Sequence, residues 1–288
     1  MQSMNDLKIV TLNLSNKCQM SCENCPHEDP HYNENEDPQF MSINTVSTIL
    51  YQLKHINYKG KLSISGFGEP FLNPDICAII KLISKSGIDF NVITNGIQLA
   101  NGFKYKIPRL IDIIIDYIPK LEISIHEICG YPSRYHRYDV LEMCSKLLAN
   151  NKKIIIRNHD TDDPNNTLVA NNRNGMVSDL RISSNQQCIL SKMDKKPNYC
   201  YYPFYEIMID ADGSYLLCAN DFGRKTKNKG INIFNLTIDQ YFLGYLYHTK
   251  LKMSDDKYNR KLHKHCEKCN CIGILEGKEE FDNFKSKR

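Results

Sequence analysis

The chain has 288 residues, 41% of them hydrophobic, and a formal net charge of +4 at pH 7. This length suits one large α/β unit with a small appendage, and so small a charge gives no reason to expect nucleic-acid binding. No apolar run could span a bilayer, and the N-terminus has no apolar signal region, so we expect a cytoplasmic protein that does not act at a membrane. Twelve cysteines without an export signal indicate metal ligation rather than disulfides.

The first two thirds of the chain alternate short β-type runs with longer amphipathic segments, which predicts parallel βαβ units. The predicted strands are residues 9–14, 61–65, 89–94, 121–125 and 153–157. The predicted helices between them are residues 42–58, 74–86, 105–117 and 134–151. Five strands with crossover helices predict a partial (β/α)6-type TIM barrel. Its functional site should lie at the carboxyl ends of the strands.

The composition changes after the fifth predicted strand. Residues 158–187 are polar and rich in asparagine, and we interpret them as an insertion or as the last βα unit of a barrel that covers residues 1–187. Residues 188–288 form a second predicted unit, a small α+β domain that closes with a charged tail. It contains a β-hairpin of residues 206–209 and 214–218 turned at Asp212-Gly213, followed by a helix around residues 238–252.

Three cysteines follow the first predicted strand. Cys18, Cys22 and Cys25 form a C-x3-C-x2-C run. Thiolates are soft ligands that hold iron–sulfur clusters, and three of them leave one iron of a four-iron cubane without a protein ligand. A small molecule can bind at that iron. Completion of a zinc site by His27 and His31 is the alternative.

Further polar motifs fall at the ends of the next strands. Gly66-Phe67-Gly68-Glu69-Pro70 follows the second strand, where glycines let the backbone approach a ligand and Glu69 can accept a hydrogen bond from an ammonium group. Thr94-Asn95-Gly96 closes the third strand, and Ser124 and His126 close the fourth. Each could be an ordinary strand-to-loop turn. Their common position after the strands predicts one shared cofactor site.

The cysteine run and the segments after it resemble the radical S-adenosylmethionine (SAM) superfamily. The resemblance implies a 4Fe-4S cluster on the three cysteines, with SAM on the open iron, and reductive cleavage of SAM to a 5′-deoxyadenosyl radical. It implies that the GxGEP-like segment holds the amino group of SAM and that Thr94-Asn95-Gly96 lies near its methionine and ribose. Ser124 and His126 would contact its ribose or carboxylate. Phe67 interrupts the pair of glycines that the family usually has.

A second cysteine group lies in the C-terminal unit and comprises Cys200, Cys218, Cys266 and Cys269. Four thiolates fully ligate a cluster, which suits electron transfer or structure. The pattern resembles the shortened "twitch" form of the SPASM extension in aminocyclitol dehydrogenase-type radical SAM enzymes, which implies a second, auxiliary 4Fe-4S cluster. Cys271 could replace Cys269 as a ligand, donate a hydrogen atom, or do neither. A zinc site on the same four thiolates also stays open.

The resemblance predicts hydrogen abstraction from a small polar substrate such as a sugar or aminocyclitol, with the auxiliary cluster assisting a two-electron oxidation. The catalytic candidates are Arg157, His159 and Cys271. Arg157 ends the fifth strand and could bind a carboxylate or phosphate, orient a hydroxyl, or make a salt bridge at the barrel rim. His159 could act as a base.

Three other functions stay open. A peptide-modifying radical SAM enzyme is less favoured, because the first strand begins near residue 9 and leaves no room before it for a leader-binding domain. An epimerase would use Cys271 or Cys188 as its hydrogen donor. A non-enzymatic zinc-binding module would bind zinc and no SAM. The expected partners are a small-molecule substrate or a peptide, and an electron donor such as flavodoxin or ferredoxin.

Overall fold

A computed structural model gives the fold of the chain. It describes residues 3–22, 25–28, 37, 39–107, 110, 112–125, 132, 134–149, 154–158, 199–228, 230–269 and 277–287. Seven strands form one sheet in the order β5-β4-β3-β2-β1-β6-β7. They are β1 (Ile9–Leu12), β2 (Lys61–Ile64), β3 (Phe90–Thr94), β4 (Lys120–Ile125), β5 (Ile154–Asn158), β6 (Glu206–Ile209) and β7 (Tyr215–Leu216).

All neighbouring strands from β5 to β6 are parallel, and only β7 pairs antiparallel, with β6. The described strands at the two ends of the order, β5 and β7, are not neighbours, so the sheet is an open, partial barrel. This confirms the predicted α/β fold class. The five barrel strands lie within a few residues of their predicted positions, although β1 ends at Leu12 rather than at residue 14.

Helices cover the outer face of the sheet. They are α1 (Ile43–His55), α2 (Ile76–Ser86), α3 (Ile97–Lys104) and α4 (Arg134–Ala149). The Ser42 hydroxyl accepts the Thr45 N–H at 3.1 Å and starts α1, whose residues Val46, Ile49 and Leu53 recur at helical spacing and are fully buried. Gly87, with φ of +75°, ends α2.

The strands alternate between apolar and polar faces, as a half-covered parallel sheet requires. Val10, Leu12, Leu62, Ile64 and Val92 have no exposed surface and belong to the main core. The intervening positions carry Thr11, Ser63, Asn91 and Glu122. The interior of the open barrel is therefore polar, and this polar face continues to the carboxyl ends of the strands.

The predicted helix over residues 105–117 is confirmed in its second half, where residues 110, 112 and the π-helical turn Ile113–Tyr117 are helical. The prediction began too early and missed α3, which covers Ile97–Lys104. Gly102 lies inside α3, where an added Cβ would be 2.9 Å from the Cβ of Leu110. Glycine is present there for close packing and not to end a helix.

The predicted hairpin is confirmed. The Gly213 N–H donates to the Asp210 carbonyl at 2.8 Å, and Gly213 has φ of +84°, which glycine adopts without strain. Its first strand, β6, pairs in parallel with β1, so the hairpin extends the barrel sheet. The predicted domain boundary at residues 187 and 188 lies outside the described residues.

Short helical elements complete the C-terminal part. They are Tyr202–Tyr205, Gln240–Tyr245 (π-helical), Leu246–Met253, Asn259–Leu262 (3-10), Lys264–Lys268 and Gly277–Ser286. The last of these packs Phe281 and Phe284 against the buried ring of Phe204, with ring centroids 5.0 and 5.3 Å away. Within the described part of the chain, every helix is too short or too polar to cross a bilayer.

Candidate functional site

Three predicted motifs meet at one edge of the sheet, because β1, β2 and β3 are adjacent and parallel. The cysteine loop follows β1, the glycine segment (residues 66–70) follows β2, and Thr94-Asn95-Gly96 follows β3. Their hydrogen bonds to one another define the candidate site.

The glycine segment lies directly against the cysteine loop. A Cβ on Gly68 would be 2.3 Å from the carbonyl oxygen of Ser15 and 2.5 Å from that of Lys17. The next residue, Glu69, donates its N–H to the Lys17 carbonyl at 2.8 Å. Gly66 has φ of +139°, and a Cβ there would be 2.6 Å from Asn13 Oδ1. Both glycines are therefore needed for this close approach.

Asn13, at the end of β1, joins three elements. Its Oδ1 accepts the Phe67 N–H at 3.0 Å, and its Nδ2 donates to Asp210 Oδ1 at 2.7 Å. Its own N–H donates to the Ile209 carbonyl at 2.9 Å. This buried side chain thus fixes the glycine segment relative to β1 and to β6.

Glu69 is buried, and protein donors surround its carboxylate. Oε1 accepts from Thr94 Oγ1 at 2.7 Å and from the Phe71 N–H at 3.0 Å, and Oε2 accepts from the Asn95 N–H at 2.9 Å. Burial raises the pKa of this carboxyl, and these hydrogen bonds oppose the rise. The side chain therefore holds the end of β3 against the glycine segment. Its predicted bond to the amino group of SAM stays a prediction.

Cys18 receives two hydrogen bonds at its sulfur. The Met20 N–H lies 3.5 Å from Sγ, and Asn95 Nδ2 lies 3.7 Å from it. Burial, the negative charge of Glu69 and the nearby Cys25 raise the pKa of the Cys18 thiol to about 12. The unligated thiol is therefore protonated at neutral pH, and a bound metal would displace the proton.

The other two cysteines belong to the same loop. Cys22 is buried and Cys25 is half-buried, and the Cys25 N–H donates to the Cys22 carbonyl at 3.2 Å. His27 Nε2 lies 2.6 Å from the Phe67 carbonyl oxygen, and it carries a proton there because a carbonyl can only accept. Burial lowers the pKa of His27. Only its Nδ1 would be available to a zinc ion, and His31 lies outside the described residues.

The donor set of this loop fits an iron–sulfur cluster with one open iron. It has three soft thiol ligands, and N–H groups already point at one of the sulfurs. No three described His, Cys, Asp or Glu side chains are arranged to hold one metal ion between them. In a cubane each thiolate binds a different iron, so its ligands lie further apart than those of a single tetrahedral ion.

The second cysteine group is buried. Cys200 precedes the short helix Tyr202–Tyr205, Cys218 follows β7, and Cys266 and Cys269 lie in and just after the helix Lys264–Lys268. Burial raises the pKa of the Cys218 thiol well above its usual range, and the nearby Cys200, Asp221 and Cys266 raise it further. None of the nine described cysteines forms a disulfide. The fold therefore brings together thiols that are far apart in the sequence.

A small apolar cluster lies between the two cysteine regions. Phe67, Met208, Leu216 and Phe222 form it, and the rings of Phe67 and Phe222 are 4.8 Å apart. Cys25 of the first group packs against it. Ala219, the residue after Cys218, also packs against it. The residue that interrupts the glycine pair therefore connects the cofactor loop to the C-terminal unit.

A buried ion pair that no sequence pattern indicates lies at the same junction. Arg224 Nε lies 2.8 Å from Asp210 Oδ2, and the guanidinium is 5.2 Å from the centroid of the Phe67 ring. Asp210 is fully buried and also accepts from Asn13. In this region the sequence indicates only the turn at Asp212-Gly213. A charged residue in a buried ion pair cannot be distinguished by sequence from a charged residue at the surface.

The remaining candidates lie toward β4 and β5. Ser124 and Arg157 are register partners in these strands, which confirms their placement in the fold, but their side chains are not described. His126, His159 and Cys271 lie outside the described residues. Their proposed roles therefore stay predictions.

Comparison with known proteins agrees with the site. The family model of the Radical SAM superfamily matches residues 12–162, over half of the chain. The chain is 33% identical over 97 residues to the probable GTP 3',8-cyclase of Methanocaldococcus jannaschii, covering 33% of this chain and 31% of that protein. It is 24% identical over 167 residues to the S-adenosylmethionine-dependent nucleotide dehydratase of Selenomonas ruminantium, covering 54% and 58%. The matched regions are thus less than two thirds of either relative.

The fold matches a solved structure over almost its full length. BtrN in complex with AdoMet and 2-DOIA superposes with a TM-score of 0.69 at 18% identity, over 95% of this chain and 96% of that chain. BtrN in an open conformation gives a TM-score of 0.58. At this level of identity the likeness concerns the fold, and it confirms the partial barrel.

Proposed function

The chain belongs to the radical SAM superfamily, and on that premise we propose that it generates a 5′-deoxyadenosyl radical and oxidises a small polar substrate of the sugar or aminocyclitol class. Proteins of this superfamily are enzymes, so the non-enzymatic zinc module considered from the sequence is set aside. The radical takes a hydrogen atom from a substrate C–H bond. A second electron and a proton must then leave to complete a two-electron oxidation.

Cys18, Cys22 and Cys25 are proposed to hold the 4Fe-4S cluster, which supplies an open iron for SAM and the electron that cleaves it. The chain's own residues prepare the place for SAM. Glu69 fixes Thr94 and Asn95 beside the glycine segment through hydrogen bonds of 2.7 and 2.9 Å. Such prepositioning of the binding groups reduces the entropy that SAM binding would otherwise cost.

Cys200, Cys218, Cys266 and Cys269 are proposed to hold the auxiliary 4Fe-4S cluster within a C-terminal unit of residues 188–288. Fully ligated by protein, such a cluster supplies an acceptor for the second electron.

Arg157 is proposed to bind the substrate at the end of β5, and His159 to accept the proton. Cys271 is proposed either to replace Cys269 as a ligand of the auxiliary cluster or to donate a hydrogen atom. An external protein such as flavodoxin or ferredoxin would supply the first electron.

The observation that carries the oxidative proposal is the burial of the second cysteine group. Four thiols with little exposed surface come from three separate segments of the chain. Two of them, Cys200 and Cys266, lie close enough to Cys218 to raise the pKa of its thiol. Buried thiols of this kind are expected where a metal group replaces their protons. The matching fold of BtrN, solved with AdoMet and 2-DOIA, supports a small polar substrate.

A nucleotide substrate is the second candidate. The match to a nucleotide dehydratase covers 54% of this chain, more than the match to the GTP cyclase. Dehydration also begins with hydrogen abstraction, but the substrate radical then loses hydroxide and regains one electron from the reductant, so the substrate undergoes no net oxidation. It would therefore need no electron acceptor, and the second cysteine group would be structural.

The first experiment measures iron, sulfide and zinc per chain after anaerobic reconstitution, in the wild type and in Cys218→Ala. We expect about eight irons in the wild type and about four in the variant, with little zinc in either. Zinc in the second group would overturn the auxiliary cluster and the two-electron oxidation. Fewer than about four irons in the wild type would overturn the radical SAM mechanism itself.

The second experiment incubates the reconstituted protein with SAM, a chemical reductant and either aminocyclitols or nucleoside triphosphates. We expect one aminocyclitol oxidised by two electrons per 5′-deoxyadenosine formed. Solvent deuterium at the substrate carbon without oxidation would indicate an epimerase. Turnover of the nucleotides alone would establish the second candidate. Modification only of an added peptide would support the peptide-modifying alternative.

A further inference from the structure

We propose that Asn95 sets the reduction potential of the first cluster by donating a hydrogen bond from Nδ2 to the sulfur of Cys18. The sequence assigned Asn95 to contact with SAM, so this is a separate role for its side chain. The inference rests on the proposed function, because it requires a cluster on Cys18. The amide nitrogen lies 3.7 Å from the sulfur.

The orientation of the amide follows from its other contacts. Asn95 Oδ1 accepts the Ile97 N–H at 3.0 Å and also lies 3.4 Å from Gln19 Nε2. A backbone N–H can only donate, so the amide oxygen must face Ile97. The nitrogen therefore has to face Cys18. A flipped amide would lose the bond from Ile97 and would aim its oxygen at the thiolate.

The backbone that carries this amide is also held. The Asn95 N–H donates to Glu69 Oε2 at 2.9 Å, and Thr94 Oγ1 donates to Glu69 Oε1 at 2.7 Å while accepting the Gly96 N–H at 3.0 Å. Asn95 is 7% exposed. The donor is thus preorganised and largely shielded from water, where a hydrogen bond to a charged sulfur is stronger than at a surface.

The electrostatic effect has a definite sign. When a reductant gives the cluster one electron, negative charge on the ligating sulfurs increases. An N–H donor stabilises this reduced form more than the oxidised form, and hydrogen bonds to the sulfurs are among the factors that set the potential of such clusters. The Met20 N–H acts in the same direction, and the nearby charge of Glu69 acts against both. Loss of the Asn95 donor should therefore lower the potential.

Two variants separate the donor from the other contacts. Asn95→Ser keeps an oxygen near the Ile97 N–H but is too short to reach Cys18. Asn95→Asp keeps the position of Oδ1 and replaces the donor by a negative charge. The matched control is Asn91→Asp, the same change within β3, four residues or about 13 Å before Asn95, which directly follows that strand.

The test titrates the reconstituted full chain with titanium(III) citrate in the absence of SAM and follows the reduced cluster by electron paramagnetic resonance. We expect Asn95→Ser to lower the reduced-to-oxidised ratio about tenfold at a given potential, about 59 mV for one electron, and Asn95→Asp to lower it more. Asn91→Asp should shift it less than Asn95→Asp does.

The outcomes distinguish this inference from the proposed function. Wild-type potentials in both Asn95 variants, with full iron content, would overturn the inference, because contact with SAM or a merely structural role would leave the potential unchanged. An equal shift in Asn91→Asp and Asn95→Asp would also overturn it. If the wild type assembles no first cluster, the proposed function fails instead.

Discussion

Replacement of Phe67 tests the connection between the cofactor loop and the C-terminal unit. Phe67 is 1% exposed and packs against Phe222, and the Arg224 guanidinium lies 5.2 Å from its ring centroid. Phe67→Gly would restore the pair of glycines usual in the family, yet here it would remove the centre of an apolar cluster. Phe67→Ala removes the same ring with less change in backbone freedom.

The magnitude follows from the contacts. Burial of a phenylalanine side chain contributes about 1.5–3 kcal/mol. The pair with Phe222, at 4.8 Å between centroids, adds about 0.5–1.5 kcal/mol. Phe67→Ala should therefore lower the free energy of unfolding by about 2–4.5 kcal/mol, which overlaps the usual range for such a truncation. At about 2 °C per kcal/mol, the melting temperature should fall by about 4–9 °C.

The assay is the thermal unfolding of the metal-free, reduced chain, followed by circular dichroism. Phe234, which is 61% exposed, provides the matched control, and Phe234→Ala should change the melting temperature by about 1 °C or less. Phe67→Leu should lie between the wild type and Phe67→Ala. A fall for Phe67→Ala no larger than that for Phe234→Ala would refute the assigned role of the ring.

Two further predictions concern buried carboxyls. Burial raises the pKa of Glu206 from 4.5 to about 7, so the folded chain binds its proton more tightly than the unfolded chain does. Its contribution to the free energy of unfolding, about 3 kcal/mol, is fully present below pH 4.5 and is lost as the pH rises through about 7. Glu206→Gln keeps an acceptor for Thr11 Oγ1 and should remove this loss of stability. The assay is the urea midpoint of unfolding measured from pH 4.5 to 8. An equal change of the midpoint with pH in the wild type and in Glu206→Gln would contradict the raised pKa of Glu206. In the wild type the Asn95 N–H donates to the Glu69 carboxylate at 2.9 Å. Glu69→Gln would place an amide there, whose NH2 group cannot accept this bond, and should lower the free energy of unfolding by about 1–3 kcal/mol. An unchanged melting temperature would show that this bond is replaceable.

The sequence identified the parts of the molecule that local patterns determine. The strand period and the turn Asp212-Gly213 are properties of neighbouring residues, so the barrel strands and the hairpin were predicted close to their positions. The motifs at the strand ends were likewise predicted to share a site, because parallel strands place their carboxyl ends at one edge. The contact of Gly68 with the cysteine loop agrees with that prediction.

Other features depend on tertiary contacts and could not be predicted. Parallel pairing of β6 with β1 joins residues about two hundred positions apart, and no local signal indicates it. The enclosure of the Glu69 carboxylate by Thr94 and Asn95 likewise arises only when β2 and β3 lie side by side. The close packing of Gly102 against Leu110, which lies outside α3, is also a contact that no local pattern indicates.

The pairing of β1 with β6 has a consequence for synthesis of the chain on the ribosome. Thr11 and Glu206, in contact across these strands, are separated by 195 residues. Because synthesis adds about 5–20 residues per second, about 10–40 s pass between the emergence of β1 and the emergence of its neighbour β6. During that time one edge of β1 is open to pairing with other chains. A fragment that stops at the end of the family match, residue 162, would leave this edge open permanently, so we expect it to aggregate where the full chain does not.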